Sequence, residues 1–333
     1  MSTPLSPWFD IDARTLRLSA SSLSTWLECG LKFQNSRVHG REPVRSPVAQ
    51  QAGKAVHQAL RPWESGGSPA HDQGSALWAQ MLELVAAELP LPPAGLEADD
   101  PDSIPGKPEW RTRERIADLL AAYCEHYAGQ DFTVLSSEHS WECDLGTLAN
   151  GWLVRWSGIF DARIKWRGMP LVLERKTSSR GGSNVMAGFR LSTQNKGYAW
   201  ADAELRGVPQ AGVLLDLLIW RPPTERPSKT PRNEFVRELF TYSSHQLAQW
   251  RADTLWHAER IIALMLERGG RDPWPSSETA CVGKYGRCPY YSVCDLPTLE
   301  QQRMMLATDY FTDRAAPVRS AVAALNTAAV TTP

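Results

Sequence analysis

Between residues 152 and 176, apolar and polar positions alternate with the period of two expected of half-buried β-strands. Phe160, Ala162, Ile164 and Trp166 form one set, and Asp161, Arg163 and Lys165 form the other. After Arg167-Gly168 the alternation resumes, with Leu171, Leu173 and Arg175 interleaved with Val172, Glu174 and Lys176. The pattern predicts a hairpin turning between Arg167 and Gly168. In that register Asp161 stands directly across from Glu174, with Cβ atoms about 5 Å apart. Lys176 falls on the same face as Glu174. Two carboxylates this close repel unless a cation lies between them. They suit a hard divalent ion such as Mg²⁺ or Mn²⁺, and a neighbouring lysine can hold a water or a phosphate oxygen. The plain alternative is an exposed strand face with ordinary charges.

Elsewhere the apolar period is mostly helical. Residues 1–18 read as irregular. LSTWLECGLKFQ, capped by Ser21 or Ser22, predicts a first helix. AQQAGKAVHQAL (49–60) predicts a second, ending before Pro62. Further helices are predicted over 76–89 and 110–128, separated by Gly-, Ser- and Pro-rich loops at 62–75 and 90–108. Strands are predicted over 132–143, 152–166, 170–176, 211–220 and 235–242. Helices over 192–206 and 244–268 end at Gly207 and at Gly269-Gly270. The order of elements predicts an α/β or α+β arrangement around one central sheet.

Composition narrows this picture. The 333 residues allow two domains or one elaborated domain. The 42% hydrophobic content, with 14 Trp, is ample for a packed core. The net charge of −1 gives no global attraction to nucleic acid, so any such contact needs a local patch. Arg163, Lys165, Arg167, Arg175, Lys176 and Arg180 offer one. The longest apolar run, AGVLLDLLIW, contains Asp216 and reads as a buried strand, not a membrane span. No basic, apolar leader opens the chain, so a cytoplasmic location is expected, with no membrane partner. The sequence carries no G-x4-G-K-[ST] loop, no G-x-G-x-x-G and no recognisable Ser/His/Asp signature.

Three further groups carry possible chemistry. His57 follows Gly53 by one helical turn, and glycine there would admit another element closely; a helix-surface histidine is the simple alternative. Gln194 and Tyr198 share a helix face, as an ordinary polar face would also have them. Cys281, Cys288 and Cys294 are separated by six and five residues. Three clustered thiols need a fourth ligand, and Cys29, at the end of the first helix, is the candidate. Their spacing does not separate zinc from iron–sulfur, and coincidental thiols in a loop remain the alternative. Cys124 and Cys143 read as small core residues.

Together these pieces resemble the RecB-like branch of the PD-(D/E)XK nuclease superfamily. The closer resemblance is to its iron–sulfur members: CRISPR-associated RecB-like exonucleases, the nuclease domain of the AddB helicase–nuclease subunit, and phage relatives. The pieces are SASSLSTWLECGLKF with Cys29, GKAVH with His57, GIFDARIKW with Asp161, LVLERKTS with Glu174 and Lys176, QNKGY with Gln194 and Tyr198, and the cysteine triad. The resemblance implies a restriction-endonuclease-like α/β core with a central mixed sheet flanked by helices and an iron–sulfur-clamped region joining the termini. It implies one nuclease domain over 19–300, with a helical insertion at about 62–130 and flexible termini at 1–18 and 313–333. His57, Asp161, Glu174 and the carbonyl of Arg175 would ligate Mg²⁺ or Mn²⁺. Lys176 would join Asp161 and Glu174 in catalysis by orienting water. Gln194, Tyr198 and Arg180 would contact substrate. Cys29, Cys281, Cys288 and Cys294 would hold a 4Fe-4S cluster, with Zn²⁺ as the alternative. The implied activity is exonuclease action on single-stranded DNA or DNA ends in repair, recombination or CRISPR adaptation, with a helicase, recombinase or integrase as possible partner. The competing reading is a catalytically silent DNA-binding or docking module.

Overall fold

A computed structural model describes residues 8–44, 48–65, 74–89, 110–129, 132–208, 212–223, 232–268, 272–283, 286–308 and 311–313. The expected loop at 90–108 and the tail beyond 313 lie outside the described residues. In chain order the elements are β1 (Phe9–Asp10), β2 (Thr15–Leu18), α1 (Ala20–Glu28), α2 (Gly30–Phe33), a π-helical turn (Gln34–Val38), β3 (Arg41–Pro43), α3 (Val48–Ser65), α4 (Ala76–Glu88) and α5 (Arg113–His126). There follow β4 (Phe132–Thr147), β5 (Leu153–Trp166), β6 (Met169–Ser178), α6 (Ser183–Leu191), α7 (Thr193–Arg206), β7 (Gly212–Trp220), β8 (Asn233–Thr241) and α8 (Ser244–Arg268). A 3-10 turn (Glu278–Ala280), β9 (Val282–Gly283), β10 (Gly286–Arg287), α9 (Tyr291–Cys294), α10 (Leu299–Leu306) and β11 (Phe311–Asp313) complete the series.

Two compact units share this chain. One comprises Met1–Arg45, Glu142–Gly158 and His245–Pro333, and the other Ser46–Trp141 and Ile159–Ser244. Strands β4 and β5 contribute residues to both.

In the second, central unit, β5 pairs antiparallel with β6, β6 parallel with β7, and β7 antiparallel with β8, which makes a mixed sheet. The hairpin register is the one the alternation predicts: Ala162 faces Leu173 and Trp166 faces Met169. Arg167 and Gly168 both have positive φ, as a tight two-residue turn requires. Every residue of β7 is buried, the mark of a strand covered on both faces. Helices α3, α4 and α5 pack with Leu218 and Trp220 in one apolar cluster. Ala162, Ile164, Leu171, Leu173 and Leu214 form another with Phe132. Phe160, expected with Ala162 and Ile164, instead packs its ring on Tyr198 of α7 and on Trp141.

In the first, terminal unit, residues expected to be irregular form strands: β1 pairs antiparallel with β2, and β2 parallel with β5 from Thr15↔Leu153 to Leu18↔Trp156. These strands are too short for a sequence period to show. Helix α1 is capped by Ser19, not Ser21 or Ser22. Ser19 accepts from the Ser22 amide, and Ser22 accepts from the Ser19 amide, in a reciprocal box.

Pro62 does not end α3, which runs to Ser65. Proline removes one backbone donor, but the buried Trp63 and Glu64 just beyond it hold the last turn in place. Trp63 packs edge-on against Tyr123 of α5.

Candidate active site

The central unit brings His57, Asp161, Glu174 and Lys176 together. His57 projects from α3, Asp161 from β5, and Glu174 and Lys176 from β6. Asp161 Oδ1 lies 3.5 Å from His57 Nδ1, and Asp161 Oδ2 accepts the backbone N–H of Arg175 at 2.8 Å. Beyond Ala162↔Leu173 the two strands are no longer paired residue by residue, so Asp161 reaches the neighbouring backbone rather than merely facing Glu174.

Glu174 is 1% exposed and ion-pairs with the ammonium of Lys176. Among the described residues neither Glu174 oxygen accepts a hydrogen bond of good geometry. A buried carboxylate is costly to keep charged, and Glu174 responds accordingly. Burial pushes it up to about 7, helped by Asp161 and opposed by Lys176 and His57. Asp161 moves the other way: burial raises it, but His57, Lys176 and the Arg175 amide outweigh burial and hold it at about 2. Lys176 resists the downward pull of burial because Glu174 and Asp161 favour its charged form. Neighbouring carboxylates with widely separated affinities for protons are a common property of sites that handle cations or protons.

Among the described residues, no group of three or more His, Cys, Asp or Glu forms a ready-made metal enclosure. The positive charge beside Glu174 is instead the Lys176 ammonium. The donor set nevertheless fits a hard divalent ion. It offers two carboxylates, those of Asp161 and Glu174, together with an imidazole.

Tyr198 is buried, and its hydroxyl donates to the carbonyl of Ile159 at 2.8 Å, two residues before Asp161. Gln194 Nε2 donates to the same hydroxyl at 3.1 Å. Burial drives the Tyr198 phenol well above its ordinary range. Arg180 is exposed just past the end of β6. The proposed basic patch loses one member, because the Arg175 side chain is 2% exposed and engaged inside the protein. Arg163 ion-pairs with the buried Asp202 at 3.2 Å.

The terminal unit gathers the four cysteines. Cys29 ends α1 in an extended conformation. Gly30 follows it, and a Cβ there would stand 2.7 Å from the Pro275 carbonyl. The Leu31 amide bonds that same carbonyl at 3.0 Å. Gln34 holds this approach with hydrogen bonds to the Asp272 carbonyl and from the Trp274 amide. Between Cys281 and Cys288 the strands β9 and β10 pair antiparallel, and the Cys288 amide donates to the Cys281 carbonyl at 2.8 Å. Cys294 follows on α9. Its thiol is pushed up to about 11, first by burial and then by the other three cysteines. Burial also raises Cys288, with Cys29 and Cys281 adding to the effect. Cys29, Cys281 and Cys288 thus lie within electrostatic reach of Cys294, and among the described residues they do not form a ready-made metal group.

Sequence reading missed the residues behind β6: Glu64, Tyr123, Asp216 and Arg237. One signal was available, since Asp216 interrupts an otherwise apolar strand and a buried charge needs a partner.

No helix among the described residues is long and apolar enough to cross a membrane. No curated protein matches the chain. The family model of the PD-(D/E)XK nuclease superfamily matches residues 17–295, a stretch that contains every candidate site residue, and the chain belongs to that superfamily.

Proposed function

We propose that this chain is a RecB-like, metal-dependent deoxyribonuclease of the iron–sulfur type. In this reading it is a single nuclease domain over 19–300 that acts as an exonuclease on single-stranded DNA or DNA ends. The observation that carries the reading is the buried Glu174 carboxylate, pushed up to about 7 and set beside Asp161, with the Lys176 ammonium ion-paired to it. Superfamily membership implies metal-dependent nuclease chemistry, and this carboxylate is where a cation would be needed.

His57, Asp161, Glu174 and the carbonyl of Arg175 would hold the ion. A bound Mg²⁺ or Mn²⁺ supplies a water of lowered pKa and polarises the phosphodiester. Asp161 stays ionised over the whole working range and gives the site a constant negative charge. Glu174 loses its proton near neutrality. Lys176 keeps its charge and would place it where negative charge grows on the phosphate. Tyr198 would steady β5 through Ile159, leaving Gln194 and Arg180 to meet substrate. Repair, recombination and CRISPR adaptation would each use such an activity, alongside a helicase, recombinase or integrase.

Cys29, Cys281, Cys288 and Cys294 would hold a 4Fe-4S cluster. Burial raises the Cys294 and Cys288 thiols, with the neighbouring cysteines adding to it, and a cationic centre would offset that cost of ionisation. Its role would be structural, joining α1 to the β9–α9 segment within the terminal unit.

The test is digestion of end-labelled single- and double-stranded DNA with Mn²⁺ by wild type, Glu174→Ala and Lys176→Ala. Cleavage by wild type alone is expected. Full cleavage by both variants would sink the assignment, and an inert wild type would favour the docking-module reading. Anaerobic purification should give a brown protein; a colourless one with stoichiometric zinc would replace the cluster by zinc.

A further inference from the structure

Strand β6 turns Glu174 and Lys176 toward the candidate site, and Arg175 between them projects to the opposite side. There its guanidinium ion-pairs with Glu64 of α3 and, at 3.3 Å, with Asp216 of β7. Tyr123 of α5 donates to Asp216, and Arg237 of β8 completes the group, with Nη2 2.9 Å from the Tyr123 oxygen and Nε 3.3 Å from Asp216. Two guanidinium groups and two carboxylates share a nearly dry interior. Stability alone is a poor reason for such a cluster, because well-packed apolar residues commonly do as well or better.

What the cluster holds in place is specific. Glu64 lies about two helical turns beyond His57 on α3, on the same face. The backbone N–H of Arg175 donates to Asp161. One turn before His57, Gly53 lets α3 approach β6 so closely that a Cβ would stand 3.0 Å from Thr177 Oγ1. Helix α3 is thus fixed to β6 on both sides of His57, by a close backbone approach at one end and by the Arg175 clamp at the other.

We infer that the Arg175 side chain is a positioning residue for the divalent-metal site. Gripped by Glu64 and Asp216, it sets the distance between the helix that carries His57 and the strand that carries Glu174 and Lys176. This role is separate from that of its backbone carbonyl and rests on the metal site of the proposed function.

The experiment is Mn²⁺ binding to the full chain, followed by calorimetry and by the electron paramagnetic resonance of the bound ion. Wild type is compared with Glu64→Gln, which keeps the volume and removes the charge, and with Arg175→Met. Both variants should keep the wild-type circular dichroism and bind Mn²⁺ about 10–100-fold more weakly, the range typical of residues that orient metal ligands. The Mn²⁺ signal should broaden, which a simple loss of stability does not produce. If Arg175→Met does not fold, Glu64→Gln decides. A folded Glu64→Gln with wild-type Mn²⁺ affinity and spectrum overturns the inference, as does a wild type that binds no Mn²⁺. A wild type that binds Mn²⁺ yet cleaves no nucleic acid removes the nuclease reading alone, and the affinity ratio still decides the role of Arg175.

Discussion

The two sides of strand β6 solve the same electrostatic problem in opposite ways. On one side Glu174 is buried against the Lys176 ammonium, with Asp161 as a second carboxylate nearby. On the other Arg175 is buried just as deeply, but Glu64 and Asp216 neutralise it. Adjacent residues of one strand thus face an open side, where one ammonium meets two carboxylates, and a completed one, where two carboxylates meet two guanidinium groups. The lesson is one of charge balance: Asp161 and Glu174 face the single Lys176 ammonium, where an external cation could complete the set, whereas Glu64 and Asp216 already have Arg175 and Arg237. Burial alone does not mark a functional residue; a buried charge left out of balance is the better sign.

The largest effect should come from breaking the completed side. Arg175→Met leaves Glu64 and Asp216 without their shared cation and should cost about 3–5 kcal/mol of folding stability by urea denaturation. The change on the open side should affect reaction more than folding. Lys176→Ala should lower the cleavage rate about 10²–10³-fold, as loss of one charge-stabilising donor does, with a smaller loss of urea stability than Arg175→Met because Glu174 can take up a proton.

A smaller effect follows from the protons. In the metal-free protein Glu174 is raised from the usual 4.5 to about 7, so the folded state holds a proton that the unfolded state releases. Stability should therefore fall as pH rises from about 4.5 to 7. Asp161 is lowered from 3.8 to about 2, so its contribution is present above 3.8 and is lost as pH falls toward 2. Urea midpoints across pH 2–8 with chelator should peak between these windows, and Mn²⁺ should flatten the decline on the alkaline side. The smallest effect is expected from Tyr198→Phe, which removes the hydroxyl bonded to Ile159 and should cost about 1 kcal/mol. A rate loss larger than this stability loss would show that Tyr198 acts on substrate as well.

Much of the open side was legible in the sequence. Alternation from Phe160 to Lys176, with one turn at Arg167-Gly168, was enough to set the register, because a one-residue slip would have turned every apolar side chain to the wrong face. The spacing of Cys281 and Cys288 hid a small hairpin, since β9 and β10 are two residues each and leave no periodic trace. The completed side was not legible. Glu64 sits beyond a proline that reads as a helix stop, and nothing local says that Trp63 and Tyr123 will carry the helix past it. Arg175 reads as one more surface cation, because a strand pattern says which face a residue takes and not what waits there. The strands at Phe9–Asp10 and Thr15–Leu18 exist only through their pairing with each other and with β5.

The shared guanidinium of Arg175 also bears on how this sequence can drift. Glu64, Asp216 and Arg175 lie on a helix and two strands, each far from the others along the chain. A change at any one leaves a stranded charge, whereas a change that removes acid and base together leaves an apolar gap that ordinary side chains can fill. Among descendants of this chain the three positions should therefore vary as a set or hardly at all, while Lys165, exposed on the same hairpin, is free to change alone.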